Sequence, residues 1–97
     1  MQYYFVRVEL HESHSARFAD LHQKMEAVGF MGGIAGNDGN FYRLPSGMYC
    51  TRSDLSVNDV KEVARHVASE FGPNWVFVMQ AGDWSGYLDQ IIPKPNA

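Results

Sequence analysis

Cys50 is the single cysteine in 97 residues, so neither an intramolecular disulfide framework nor a multi-cysteine zinc site can be built. No basic-then-apolar leader opens the chain, and a cytoplasmic location is expected. Long hydrophobic runs are missing: the apolar stretch at residues 76–79 is far short of the roughly 20 residues that a membrane helix needs, so no membrane contact is expected. Positive charge is scarce. Eight Lys plus Arg against eleven Asp plus Glu give a net charge of −3, which argues against broad electrostatic capture of nucleic acid and leaves room only for a small local basic patch. DNA is therefore not an expected partner. Glycines 32, 33 and 36 do not fall in a G-x-G-x-x-G pattern before a helix, which excludes a glycine-rich phosphate cradle. Internal repeats and low-complexity tracts are absent.

What the chain does have is 45% hydrophobic and 13% aromatic content, the composition of one small folded domain. A domain this size buries only roughly 60 to 65% of its unfolded surface, which makes self-association a natural source of extra stability. Residues 3–10 alternate, with Tyr4, Val6, Val8 and Leu10 on one side and Tyr3, Phe5, Arg7 and Glu9 on the other, so a strand is predicted. The period then lengthens. Phe18, Leu21, Met25 and Val28 recur at helical spacing after Ser13 or Ser15 as N-cap and before Gly29 as a stop. A second strand at residues 30–36, a long connection with turn signals at 37–40 and 45–47, and a third strand at 48–52 follow. A second helix opens at Asp54 or Ser56 and closes at Gly72-Pro73, and a last strand covers residues 75–80.

The order β-α-β-β-α-β predicts an α+β fold: a ferredoxin-like sandwich with a four-stranded antiparallel sheet and both helices on one face. Residues 1–82 form this domain and residues 83–97 a C-terminal tail with apolar anchors. In the last strand Trp75, Phe77 and Met79 compete with Val76 and Val78 for the core. The open sheet face, with Tyr3, Phe5 and Tyr49, is too apolar to stand in water, so the tail or a second copy in a homodimer is expected to cover it.

Candidate chemistry gathers near the first helix. His11 and His14 lie in the turn before it and His22 lies on it. Imidazoles beside Arg17, Glu12 and Glu9 can act as acid and base on a ribose 2′-hydroxyl while Arg17 neutralises phosphate, without a metal cofactor. The competing reading is a solvated loop in which His14 or Glu12 assists helix capping. His11-Glu12-Ser13-His14 lacks the helical H-E-x-x-H spacing and a third ligand, which argues against zinc. Glu9 at the strand end is a candidate for a divalent metal ion, against the plainer reading of an exposed residue paired with Arg7 or Arg52. Arg43 and Tyr42, in the turn-rich connection, are candidate phosphate contacts. Cys50 is expected to be a small core residue and not a nucleophile.

Residues Phe5-Val6-Arg7-Val8-Glu9, the helix over 18–30, the Ile34-Ala35 strand, Asp38-Gly39, Leu44 and the strand-to-helix step at 49–55 resemble the GhoS family over about residues 3–84. The resemblance implies an antitoxin endoribonuclease that cleaves single-stranded messenger RNA of a membrane-damaging peptide toxin. It also implies kinship with the small ferredoxin-like nuclease of CRISPR adaptation, whose first-strand acidic residue matches Glu9. Arginines that the family uses in RNA cleavage fall on Asp20 and His22 of this chain. The expected function is thus an RNA-cleaving antitoxin, with His22, His14 and His11 in proton transfer and Arg17, Arg43 and Tyr42 on the substrate. The alternative is a non-enzymatic dimeric interaction module, an antitoxin or inhibitor of phage or mobile-element origin, that binds a partner protein through its acidic surface and aromatic tail.

Overall fold

The computed structural model describes residues 1–11 and 15–91. Seven elements follow in order: β1 (Gln2–Leu10), α1 (Ser15–Ala27), β2 (Gly33–Ala35), β3 (Phe41–Arg43), β4 (Met48–Ser53), α2 (Val57–Ser69) and β5 (Asn74–Ala81). The alternation in β1 makes it the centre of a three-stranded antiparallel sheet of order β4-β1-β5. Tyr4, Val6, Val8 and Leu10 are buried under both helices, where they meet Leu21 and Met25 of α1 and Val60, Ala64, Val67 and Ala68 of α2. Burial of these large apolar side chains, worth about 1.5–3 kcal/mol each, is the main force that holds the layers together.

Local signals set the helix ends. The Ser56 hydroxyl accepts from the Asp59 backbone N–H at 3.1 Å, which makes Ser56 the N-cap of α2. Gly29 ends the turn after α1 at a φ of +93°, a backbone conformation that favours glycine. Competition within β5 is resolved for the valines: Val76 and Val78 pack toward the helices, while Trp75, Phe77 and Met79 remain exposed on the other face.

The four-stranded sheet expected from the sequence is replaced by two sheets, and the reason lies in residues 36–43. The Gly36 N–H donates to the Asn40 carbonyl at 2.8 Å, and Asp38 Oδ1 accepts from the Asn40 N–H at 3.0 Å. That tight turn returns the chain as β3, which pairs with β2 in register Gly33–Arg43, Ile34–Tyr42 and Ala35–Phe41. The stretch expected to be a plain connection is therefore half of a hairpin. Toward β4 the hairpin keeps one bridge, Met31 with Cys50, whose two backbone hydrogen bonds are both 2.8 Å. At Gly33 the carbonyl is instead met by the Cys50 thiol, at 3.3 Å.

Residues beyond β5 fold back across the open face. Trp84 stands edge-on to Phe5 with ring centroids 5.9 Å apart, and Leu88 packs on a second small core of Ile34, Leu44 and Cys50. Asp89 and Ile91 then bond the outer edge of β3: the Arg43 N–H donates to the Asp89 carbonyl at 2.9 Å and the Ile91 N–H to the Phe41 carbonyl at 2.8 Å. The tail thus covers the β1, β4 and hairpin part of the open face and leaves the β5 side uncovered. No helix among the described residues is long and apolar enough to cross a membrane.

Candidate functional site

Leu21 and Met25 turn one face of α1 into the core, which places His22 and Glu26, each one residue later and four apart from one another, on the flank above the hairpin. There they border an open groove of about 1030 Å³ between α1 and the segment from Arg43 to Tyr49. The imidazole of His22 is fixed on three sides. Its Nε2 lies 2.7 Å from Glu26 Oε1, an ion-pair contact when the imidazole is protonated. Its Cε1 edge lies against Gly32, where an added Cβ would come within 2.7 Å. The ring of Tyr49 is tilted beside it at 33°, with centroids 5.7 Å apart. With Nε2 facing the carboxylate, Nδ1 is the ring nitrogen that does not face Glu26.

Tyr49, expected on the open face, instead pairs with Val6 and is buried on the helix side, and that burial, together with the negative charge of Glu26, raises its hydroxyl above the ordinary tyrosine range. It supplies a wall and no ready proton. Arg43 lines the opposite side of the groove, and the hydrogen bond from the Leu44 N–H to the Gly32 carbonyl, at 2.9 Å, ties its strand to the glycine that seats His22. Among the described residues lining this groove, Arg43 is the one arginine or lysine. The groove lining thus includes a partly exposed imidazole, a carboxylate beside it and an arginine, residue types suited to proton transfer beside a phosphodiester.

The remaining sequence-derived candidates lie elsewhere. Within the turn after β1, His11 stands edge-on to Trp75 at 4.1 Å, and its buried Nε2 has no hydrogen-bond partner among the described residues. Arg17, in the first turns of α1, lies over the Phe71 ring at 5.9 Å. Neither lines the His22 groove. His14 falls outside the described residues. Tyr42 projects from β3 to the side away from Arg43, as strand alternation requires, and its hydroxyl donates to Asp38 Oδ2 at 2.6 Å. That bond holds the Asp38 carboxyl below its usual range and raises the Tyr42 hydroxyl. Glu9 sits on the open face, 3.4 Å from the Arg7 guanidinium. No group of three or more His, Cys, Asp or Glu is brought together among the described residues, and Glu9 stands there as one carboxylate beside an arginine.

Glu26, Gly32 and Tyr49 escaped the sequence reading as parts of the site. The four-residue spacing of His22 and Glu26 was a readable signal. The approach of Gly32 and Tyr49 depends on how the hairpin meets α1, and no local pattern encodes it.

The arrangement can be set beside known proteins. A family model described as Endoribonuclease GhoS matches residues 1–85, which takes in every helix and strand and the whole His22 groove apart from Ile91. No curated protein matches the chain.

Proposed function

The chain belongs to the GhoS endoribonuclease family, and on that premise we propose that it is an antitoxin that cleaves single-stranded messenger RNA in the groove between α1 and the hairpin. The observation that carries the proposal to particular residues is the seating of His22 between Glu26, Gly32 and Tyr49. The resemblance also implies that His22 and Asp20 stand where the family has arginines, and of the two His22 is the side chain able to bind phosphate or move a proton.

In the proposed reaction, Nδ1 of His22 removes the proton of a ribose 2′-hydroxyl as its oxygen attacks the adjacent phosphorus. The P–O5′ bond breaks, the 5′-oxygen takes a proton from water, and the products are a 2′,3′-cyclic phosphate and a 5′-hydroxyl end. Arg43 holds the non-bridging oxygens as negative charge builds on them. Glu26 orients the ring and stabilises the imidazolium that forms. His11 and Arg17, which do not line the groove, take no part in this step.

Substrate analogues test this directly. A single-stranded RNA that the protein cuts is compared with the same RNA carrying a 2′-deoxy sugar at the cut position. Loss of cleavage at that linkage, with a cyclic phosphate on the product of the parent RNA, is expected. Undiminished cutting of the deoxy linkage rules out the 2′-hydroxyl mechanism.

A second reading keeps the family fold without catalysis: an acidic antitoxin that binds a partner protein. The net charge of −3 and Asp20 at a family arginine position favour it. Absence of cleavage by the parent protein under all metal conditions selects this reading over the first.

A further inference from the structure

Strand β5 carries an unusual outer row. Trp75, Phe77 and Met79 are 64%, 65% and 48% exposed, at alternate positions on the face away from the helices. The tail that covers the rest of that face does not bury them: Trp84 stops over Phe5, the register partner of Met79. Edge strands are ordinarily blunted by lysine, proline or a bulge. Of its eight residues, Asn-Trp-Val-Phe-Val-Met-Gln-Ala, none is charged and none is proline. Among the described residues nothing pairs with its outer edge.

We propose that a second copy of this chain covers this half of the open face, with the Trp75, Phe77 and Met79 rows of the two copies packed on each other about a two-fold axis. Charge favours this occupant. Beside the row, β1 presents Arg7 opposite Phe77 and Glu9 opposite Trp75, a neighbouring positive and negative charge. A two-fold axis passing between these two positions would set Arg7 of each copy toward Glu9 of the other, so the pattern can complement itself. A polyanion such as RNA would meet one arginine already shared with a carboxylate, on a protein of net charge −3.

Area supports the same occupant. At about 150–250 Å² per large side chain, the exposed parts of Trp75, Phe77, Met79 and Trp84 come to roughly 500 Å² per copy. Two copies then bury roughly 1,000 Å² before any backbone is counted, the size at which an interface becomes specific. The proposal is independent of the cleavage mechanism, since the His22 groove lies on another side of the molecule.

Sedimentation equilibrium of the full chain tests it, over a range of protein and salt concentrations, beside Phe77→Lys and Trp75→Ser. Both side chains are exposed in the single copy, so circular dichroism should show both variants folded. The parent is expected to dimerise at roughly micromolar concentration, with dimerisation unchanged or strengthened by salt. Phe77→Lys is expected to weaken the dimer by about a hundredfold or more, because each copy then buries an unpaired ammonium. Trp75→Ser should weaken it less. A parent that stays monomeric throughout overturns the proposal, as does a dimer that persists in both variants. A monomer whose tryptophan fluorescence is quenched by RNA in the parent but not in Trp75→Ser also overturns it, and gives the face to nucleobases.

Discussion

Nε2 of His22 and Oε1 of Glu26 are 2.7 Å apart, one turn of α1 from each other. The contact sets which imidazole nitrogen faces the carboxylate. Replacing Glu26 by Ala removes the acceptor and lets the ring turn, and cleavage is expected to fall about 10- to 100-fold, the usual effect of losing a group that orients an imidazole. Glu26→Gln keeps a carbonyl acceptor without the charge and should fall between parent and Ala. Thermal melting should barely change, since both side chains are about half exposed. Equal activity in all three proteins removes Glu26 from the account.

Gly32 acts on the same ring from the other side. An alanine Cβ there would stand 2.7 Å from Cε1, so the imidazole or the backbone just before β2 must shift. Displacement of a catalytic group by about 1 Å costs on the order of 10²-fold in rate. Gly32→Ala should therefore lose activity while remaining folded, and the His22 ring resonances in an NMR spectrum should move. Unmoved resonances contradict the described seat.

Leu88 tests whether the tail is part of the fold. It packs on Ile34, Leu44 and Cys50, the small core under the hairpin. Since Leu88 is only partly buried, Leu88→Ala should cost about 1–2 kcal/mol, below the 2–5 kcal/mol of a fully buried leucine. Urea denaturation reads the difference. No change would mean that the tail leaves this surface in solution.

Alkaline pH gives a separate check on the same region. The Tyr3 hydroxyl is pushed up to about 12 from an ordinary 10.0, first by burial and then by its hydrogen bond to the Cys50 thiol. Burial also raises Cys50 itself. Because the folded state holds the Tyr3 proton more tightly than the unfolded state does, its contribution is complete below pH 10. That contribution is lost as pH rises toward 12. Stability should fall across that interval, and Tyr3→Phe should flatten the fall. A stability curve identical in parent and variant would contradict the assignment.

Much of the architecture was legible in local pattern. Alternation in β1 named its buried and open faces, and helical spacing with Ser56 and Gly29 at the ends bounded both helices. Residues 36–43 are the exception: a strong turn signal that reads as part of a connection closes a three-residue ladder. Strands that short carry too little periodicity to be seen. The site was legible in part for a related reason. His22 and Arg43 were both singled out from the sequence, and the fold brings them to one groove. His11, Arg17 and Tyr42 were grouped with them by residue type alone, and strand direction and tertiary packing send each to another surface.

The most direct measurement of the central claim is incubation of the purified full chain with a pool of structured and unstructured RNAs, in EDTA and in Mg²⁺ or Mn²⁺, beside His22→Ala and Arg43→Ala. The account predicts cuts in unstructured RNA by the parent, near-complete loss in His22→Ala and partial loss in Arg43→Ala. Cutting by His22→Ala at the parent's rate, or no cutting by the parent in any condition, would contradict it.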